Sequence, residues 1–164
     1  MRWLAIAMAT GSLAACSGGS SGSSPTAPTP PANIAGTYNA TITASSTCSA
    51  NLPAAAWAVN FASNITQTGT AVQVELFQHV GMNTVTGTVS GQTLNFPNLS
   101  LSGTTGAGAV SIVATGQANV DATGEIAGTL SGTYQLASGT SCNGNHQIQW
   151  KKAGVVPFTP PDGQ

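Results

Sequence analysis

Cys16, Cys48 and Cys142 are the only thiols in the sequence, and His79 and His146 its only imidazoles. With four acidic and three basic side chains, these five are nearly all the titratable or metal-binding chemistry the chain carries. His79 and Met82 are three positions apart and would suit copper, but two soft ligands with no third nearby do not make a site. His146 shares an alternating face with Ile148 and Trp150, where a lone histidine is ordinarily a hydrogen-bonded core residue. Glu75 falls on the face opposite Val74 and Leu76 and is expected in solvent, while Asp121 and Glu125 bracket a tight turn. Gly103 to Gly108 is glycine-rich but lacks the lysine of a phosphate-binding loop. No nucleophile, base and orienting group converge, so the chain reads as non-enzymatic, with no metal or cofactor called for.

Cys16 closes the run Leu13-Ala14-Ala15-Cys16, which follows one basic residue, Arg2, and a short apolar segment from Trp3 to Ala9. A basic start, an apolar stretch and small residues before a cut describe a secretory signal, whereas a membrane span needs about 20 apolar residues. The four residues resemble the lipobox of bacterial lipoproteins. The resemblance implies that residues 1–15 are removed as a signal peptide and that Cys16 takes a diacylglyceryl group, anchoring the protein to a membrane. Ser17, where aspartate is the usual retention signal, resembles the outer-membrane class. An ordinary cut after Ala15, leaving Cys16 a free thiol, is the alternative the residues leave open.

Removing Cys16 from the count leaves Cys48 and Cys142, an even pair expected to be bonded in an oxidising compartment. Only 4% of the residues are charged, against about a quarter in ordinary proteins. Thr, Ser, Asn and Gln must therefore meet the water, and they suit the outer face of a β-sheet. There is no basic patch, which argues against nucleic acid as a partner. Residues 16–33, the anchor and a Ser/Gly/Pro/Thr stretch, cannot repay the entropy of ordering and read as a disordered tether of roughly 55 Å at full stretch. Residues 154–164, with three prolines, read as a tail.

Between them, residues 34–153 alternate apolar and polar with a period of two. Tyr38, Ala40 and Ile42 open the pattern; Trp57, Val59, Phe61 and Ile65 continue it, and His146, Ile148 and Trp150 close it. Turn signals at Thr68-Gly69, Ser90-Gly91 and Asp121 to Gly124 separate the runs, Pro97 marks a break or an edge, and Gly103 to Gly108 reads as a loop. The expectation is an all-β chain: a single antiparallel up-and-down barrel of about eight strands, with a β-sandwich as the alternative. Cysteine placement favours the barrel. Cys48 follows the first strand and Cys142 precedes the last, and in an even-stranded barrel those ends are neighbours, within the roughly 5.5 Å a disulfide spans.

Gly36-Thr37-Tyr38 at the start of the first strand resembles the Gly-x-Trp opening of the calycin barrels, the lipocalins, fatty-acid-binding proteins and avidins. The resemblance implies that Tyr38 closes the barrel floor, that Lys151 or Lys152 packs across it, and that the Thr47 to Ala56 loop is a lid at the opposite mouth. Two functions follow. In one, the barrel binds a small apolar ligand among Trp57, Phe61, Phe96, Tyr134 and Trp150. In the other it is an envelope interaction protein, an inhibitor or assembly partner, acting through loops with exposed hydrophobes such as Leu52 and Val80. A cavity of roughly 300 Å³ or more would support the first, a filled interior the second.

Overall fold

The computed structural model describes residues 29–78 and 81–154. The alternation produces eight strands: β1 (Gly36–Thr43), β2 (Ala58–Thr68), β3 (Ala71–Gln78), β4 (Gly81–Ser90), β5 (Thr93–Thr105), β6 (Gly108–Val120), β7 (Ile126–Leu136) and β8 (Ser141–Lys152). Each strand pairs antiparallel with the next, and β1 pairs with β8 from Tyr38 opposite Lys152 to Thr43 opposite Gln147. The sheet is a closed up-and-down barrel, as the sequence leads one to expect, and among the described residues no α-helix accompanies it. Closure matters because a sheet this poor in charge has few other ways to protect its edges.

Inward positions carry the core. Tyr38, Ala40 and Ile42 of β1 are at most 1% exposed, while Asn39 and Thr43 face water. Each buried large side chain contributes about 1.5–3 kcal/mol, so one charged residue at Ile42 would oppose several such terms. β6 and β7 approach closely where Gly128 and Gly132 sit opposite Ala118 and Ala114. A Cβ built on Gly132 would run into the Val113 carbonyl and would lie 2.6 Å from the Ala114 Cα. Only hydrogen fits between these strands.

Two sequence expectations are corrected along β5. Pro97 does not end a strand: β5 runs through it, with a register shift against β6 between Phe96 and Leu99. Proline has no N–H for the ladder, so the chain bulges there and resumes. Gly103 to Gly108 is not a loop either, since β5 continues to Thr105 and β6 begins at Gly108. The bulge has a consequence for the wall. β4 and β5 pair only from Thr88–Ser90 with Thr93–Asn95. Beyond that they part, and side chains span the seam. The Asn83 carboxamide donates from Nδ2 to the Ser102 carbonyl and accepts the Ser102 N–H, both at 2.8 Å. Gln78 repeats the device on Thr104, accepting its N–H at 2.6 Å and donating to its carbonyl at 3.3 Å. Each amide stands in for one peptide of a missing strand partner.

The two poles are closed differently. At the floor, the chain entering β1 lies across the barrel end: Ala32 N–H donates to the Gly91 carbonyl at 2.7 Å. The Gln67 carboxamide donates to the Ala32 carbonyl at 3.0 Å and accepts the Ile34 N–H at 2.9 Å. Ile34 is fully buried, and the Tyr38 hydroxyl donates to its carbonyl at 2.9 Å. At the opposite pole, two short 3-10 turns, Ser46–Ala50 and Ala54–Ala56, cover the mouth and bury Cys48, Leu52 and Ala56. The Cys48–Cys142 disulfide is formed, with Cα atoms 5.6 Å apart, between this cover and the start of β8. As expected, the Ile34 and Cys48 ends lie at opposite poles of one sheet whose first and last strands pair.

Candidate functional site

The inward aromatics largely satisfy one another. Phe96 stacks on Trp150 with ring centroids 5.6 Å apart and planes at 27°. Tyr134 is fully buried, and its hydroxyl donates to the Ala56 carbonyl of the mouth cover at 2.7 Å. Burial pushes the Tyr134 phenol up to about 12. Phe61 is 3% exposed and lies beneath the rim end of β5, where a Cβ on Gly103 would approach its ring tip at 3.0 Å. β5 therefore leans across toward β2 and narrows the mouth from within.

Trp57 does not belong to this group. The sequence places it in phase with Val59 and Phe61, but β2 begins only at Ala58, and Trp57 instead terminates the second 3-10 turn. Its indole N–H donates to the Leu52 carbonyl at 3.0 Å and the residue is 42% exposed. Leu52, expected as an exposed loop hydrophobe, is buried at 3%. Val80 and His79 lie outside the described residues, as does Cys16. Met82 is 58% exposed and pairs across β3–β4 with the outward Phe77. No group of three or more potential metal ligands occurs among the described residues.

His146 is the one fully buried titratable side chain on β8. Its Nδ1 accepts the Ser45 N–H at 3.1 Å, so Nε2 carries the proton and donates to the Gly132 carbonyl at 3.0 Å. The ring is neutral. Burial holds its basicity below the usual histidine value, opposed by the Gly132 bond. Asp121 is a turn former, as its position implies. One carboxylate oxygen accepts the Thr123 hydroxyl at 2.7 Å and the N–H groups of Thr123 and Glu125, which lowers its pKa. Of the two lysines, Lys152 pairs directly opposite Tyr38 in the β1–β8 ladder. Both are exposed, and Lys152 reaches the turn at Gly124, where an added Cβ would lie 2.5 Å from Nζ.

No known family, curated protein or solved structure matches the chain.

Among the described residues, two buried side-chain polar atoms lack partners: Trp150 Nε1 and Ser63 Oγ, both at inward positions in the floor half. Outside, open hollows line the wall. One of about 460 Å³ lies at the mouth end of β5, β6 and β7, beside Thr104 and Ala109. Three smaller ones, of about 260 to 320 Å³, are lined mainly by threonine and carboxamide side chains. Sequence reasoning missed the Gln78 and Asn83 seam and the Ser45 bond to His146. No local signal announces either, since each joins residues at least 19 positions apart.

Proposed function

We propose that this is a lipid-anchored envelope protein whose barrel is a rigid, non-catalytic interaction module working through its outer face and rim. The anchor is Cys16, exposed by removal of residues 1–15, and the compartment is the bacterial outer membrane. The observation that carries the module reading is the closure of both poles around aromatics that contact each other, Phe96 against Trp150 and Tyr134 against the cover. Those rings are already committed, so the partner is more naturally an envelope macromolecule than a guest inside. A second reading, a small buried ligand, draws support from the unpartnered Trp150 Nε1 and Ser63 Oγ, because a buried donor without a partner is costly.

Native mass spectrometry and cross-linking on the full chain taken from its host separate the two. A cross-linked protein or polymer neighbour, with no added small mass on the barrel, is expected; a retained small molecule in every preparation would select the second reading. The anchor is tested by Cys16→Ser, expected to lose its acyl groups and leave the membrane fraction. Wild-type protein free in the soluble periplasm would reject it.

A further inference from the structure

Trp57 is an exposed indole that is nevertheless fixed in place. Its N–H is bonded to Leu52, its backbone N–H donates to Ala54 at 3.2 Å, and its carbonyl accepts the Ala44 N–H at 2.8 Å. The segment carrying it is stapled to β8 by the disulfide. Holding a large aromatic 42% in water forgoes burial energy, and preorganised exposed aromatics are what binding surfaces use.

One strand away from its backbone runs a trough. Ala58, next to Trp57, pairs with Thr43, and Thr43 pairs with Gln147. Thr41, Thr43, Gln147 and Gln149, with the small Ala127, line an open hollow of about 260 Å³. The lining is uncharged. Lys151 is one outward position beyond Gln149, and Glu125 just precedes β7, so opposite signs border the far end. Anionic and cationic ligands gain little here.

We infer that the trough and Trp57 together bind a neutral oligosaccharide. Hydroxyls and carboxamides both donate and accept, matching the paired donor–acceptor groups of sugar hydroxyls. The C–H face of a pyranose is weakly positive and apolar, complementary to the negative face of an indole. The hollow falls just below the volume of enclosed ligand pockets, about 300 Å³ and upward, so it suits one ring of a chain passing over the surface. The inference rests on the reading that the outer face, not the interior, does the work.

The test titrates the full chain with cellotetraose, chitotetraose and maltotetraose. Tryptophan emission and its quenching by acrylamide are followed. At least one sugar should shift the emission saturably and shield Trp57 from the quencher. Trp57→Ala should abolish the response, and Gln147→Ala should weaken binding about tenfold. Thr115→Ala, in a comparable hollow of Thr88, Asn95 and Gln117 without a tryptophan, should bind normally. Unchanged thermal midpoints would show that the variants fold. Silence with all three sugars, or equal loss in Thr115→Ala, overturns the proposal. If no sugar binds while cross-linking still finds an outer-face neighbour, this inference alone fails. If a sugar binds, Gln147→Ala is silent and Ser63→Ala weakens it, the ligand sits inside and both readings fail.

Discussion

Ser45 and His146 are 101 positions apart, yet the backbone N–H of the first donates to the imidazole Nδ1 of the second at 3.1 Å. This bond joins the mouth cover to β8 and requires a neutral ring. Protonation would set an N–H against an N–H in a site where no described acidic side chain faces the ring. Tyr134, with ring centroids 5.7 Å away, is itself a neutral donor.

The pH dependence follows. The folded-state pKa of His146 lies below its ordinary 6.5, so below that pH the unfolded chain binds a proton that the folded one does not. Stability from this group is complete above about pH 6.5 and falls as the pH drops, with a limiting slope of about 1.4 kcal/mol per unit. Denaturant midpoints from pH 8 to pH 5 should show the decline. His146→Gln, able to donate to Gly132 and accept from Ser45, should be less stable at pH 8 but flatter toward acid. An equal slope in both proteins would assign the effect elsewhere.

The Cys48–Cys142 bond closes a loop with a sequence separation of 94. Replacing both cysteines by serine should cost on the order of 4 to 5 kcal/mol in the chain-entropy model. Hydrogen exchange should accelerate first in the 3-10 turns, whose remaining hydrogen bonds to the wall include one from Ser45, one to Ala56 and one from Ala44 to Trp57. Peptide mapping of native protein must find the pair linked; two thiols that alkylate freely would reject it.

Gly132→Val tests the tight β6–β7 contact. The added side chain meets Ala114 and the Val113 carbonyl, and overpacking of this kind costs about 1–3 kcal/mol or more. Thr129→Ala, outward on the same strand, should change stability by less than about 0.5 kcal/mol. A tolerated valine would mean the barrel can breathe at this point.

Asn83→Ala removes one of the two amides across the β4–β5 seam. Because the site is partly solvated, the expected loss is about 0.5–1.5 kcal/mol. The specific signature is faster amide exchange at Ser102, with Leu101 and Gly103 unaffected by comparison. Uniform acceleration along β5 would show that the seam is not held locally.

The period-two alternation made the strands and most of the core legible, because a sheet with one wet face admits no other pattern. Phe61, Phe96, Tyr134 and Trp150 all lie inward for that reason. Trp57 misled because it keeps the phase of β2 one residue before the strand begins. Gln78 and Asn83 stand in phase with the inward Leu76 and Val85. As polar residues at inward positions they look like faults, until the seam opened by Pro97 supplies unpaired peptides for them. That seam depends on strands meeting across the barrel wall, which local spacing does not encode. Leu52 looked like a loop hydrophobe only because the 3-10 turns that fold it over the mouth leave no periodic trace.

Both ends of the described chain leave the barrel at the floor: Ala32 beside Gly91, and Ala153, whose N–H donates to the Thr37 carbonyl. Tension between the N-terminal lead and the C-terminal exit would load the antiparallel β1–β8 ladder from one end, rupturing it rung by rung as a zipper rather than in shear. A pull between the N-terminal lead and a partner gripping the far rim would instead run along β1, whose rungs on both sides resist together. The same barrel is thus mechanically soft in one loading direction and stiff in the other, and the stiff one is the direction in which a leash and a bound partner would strain it.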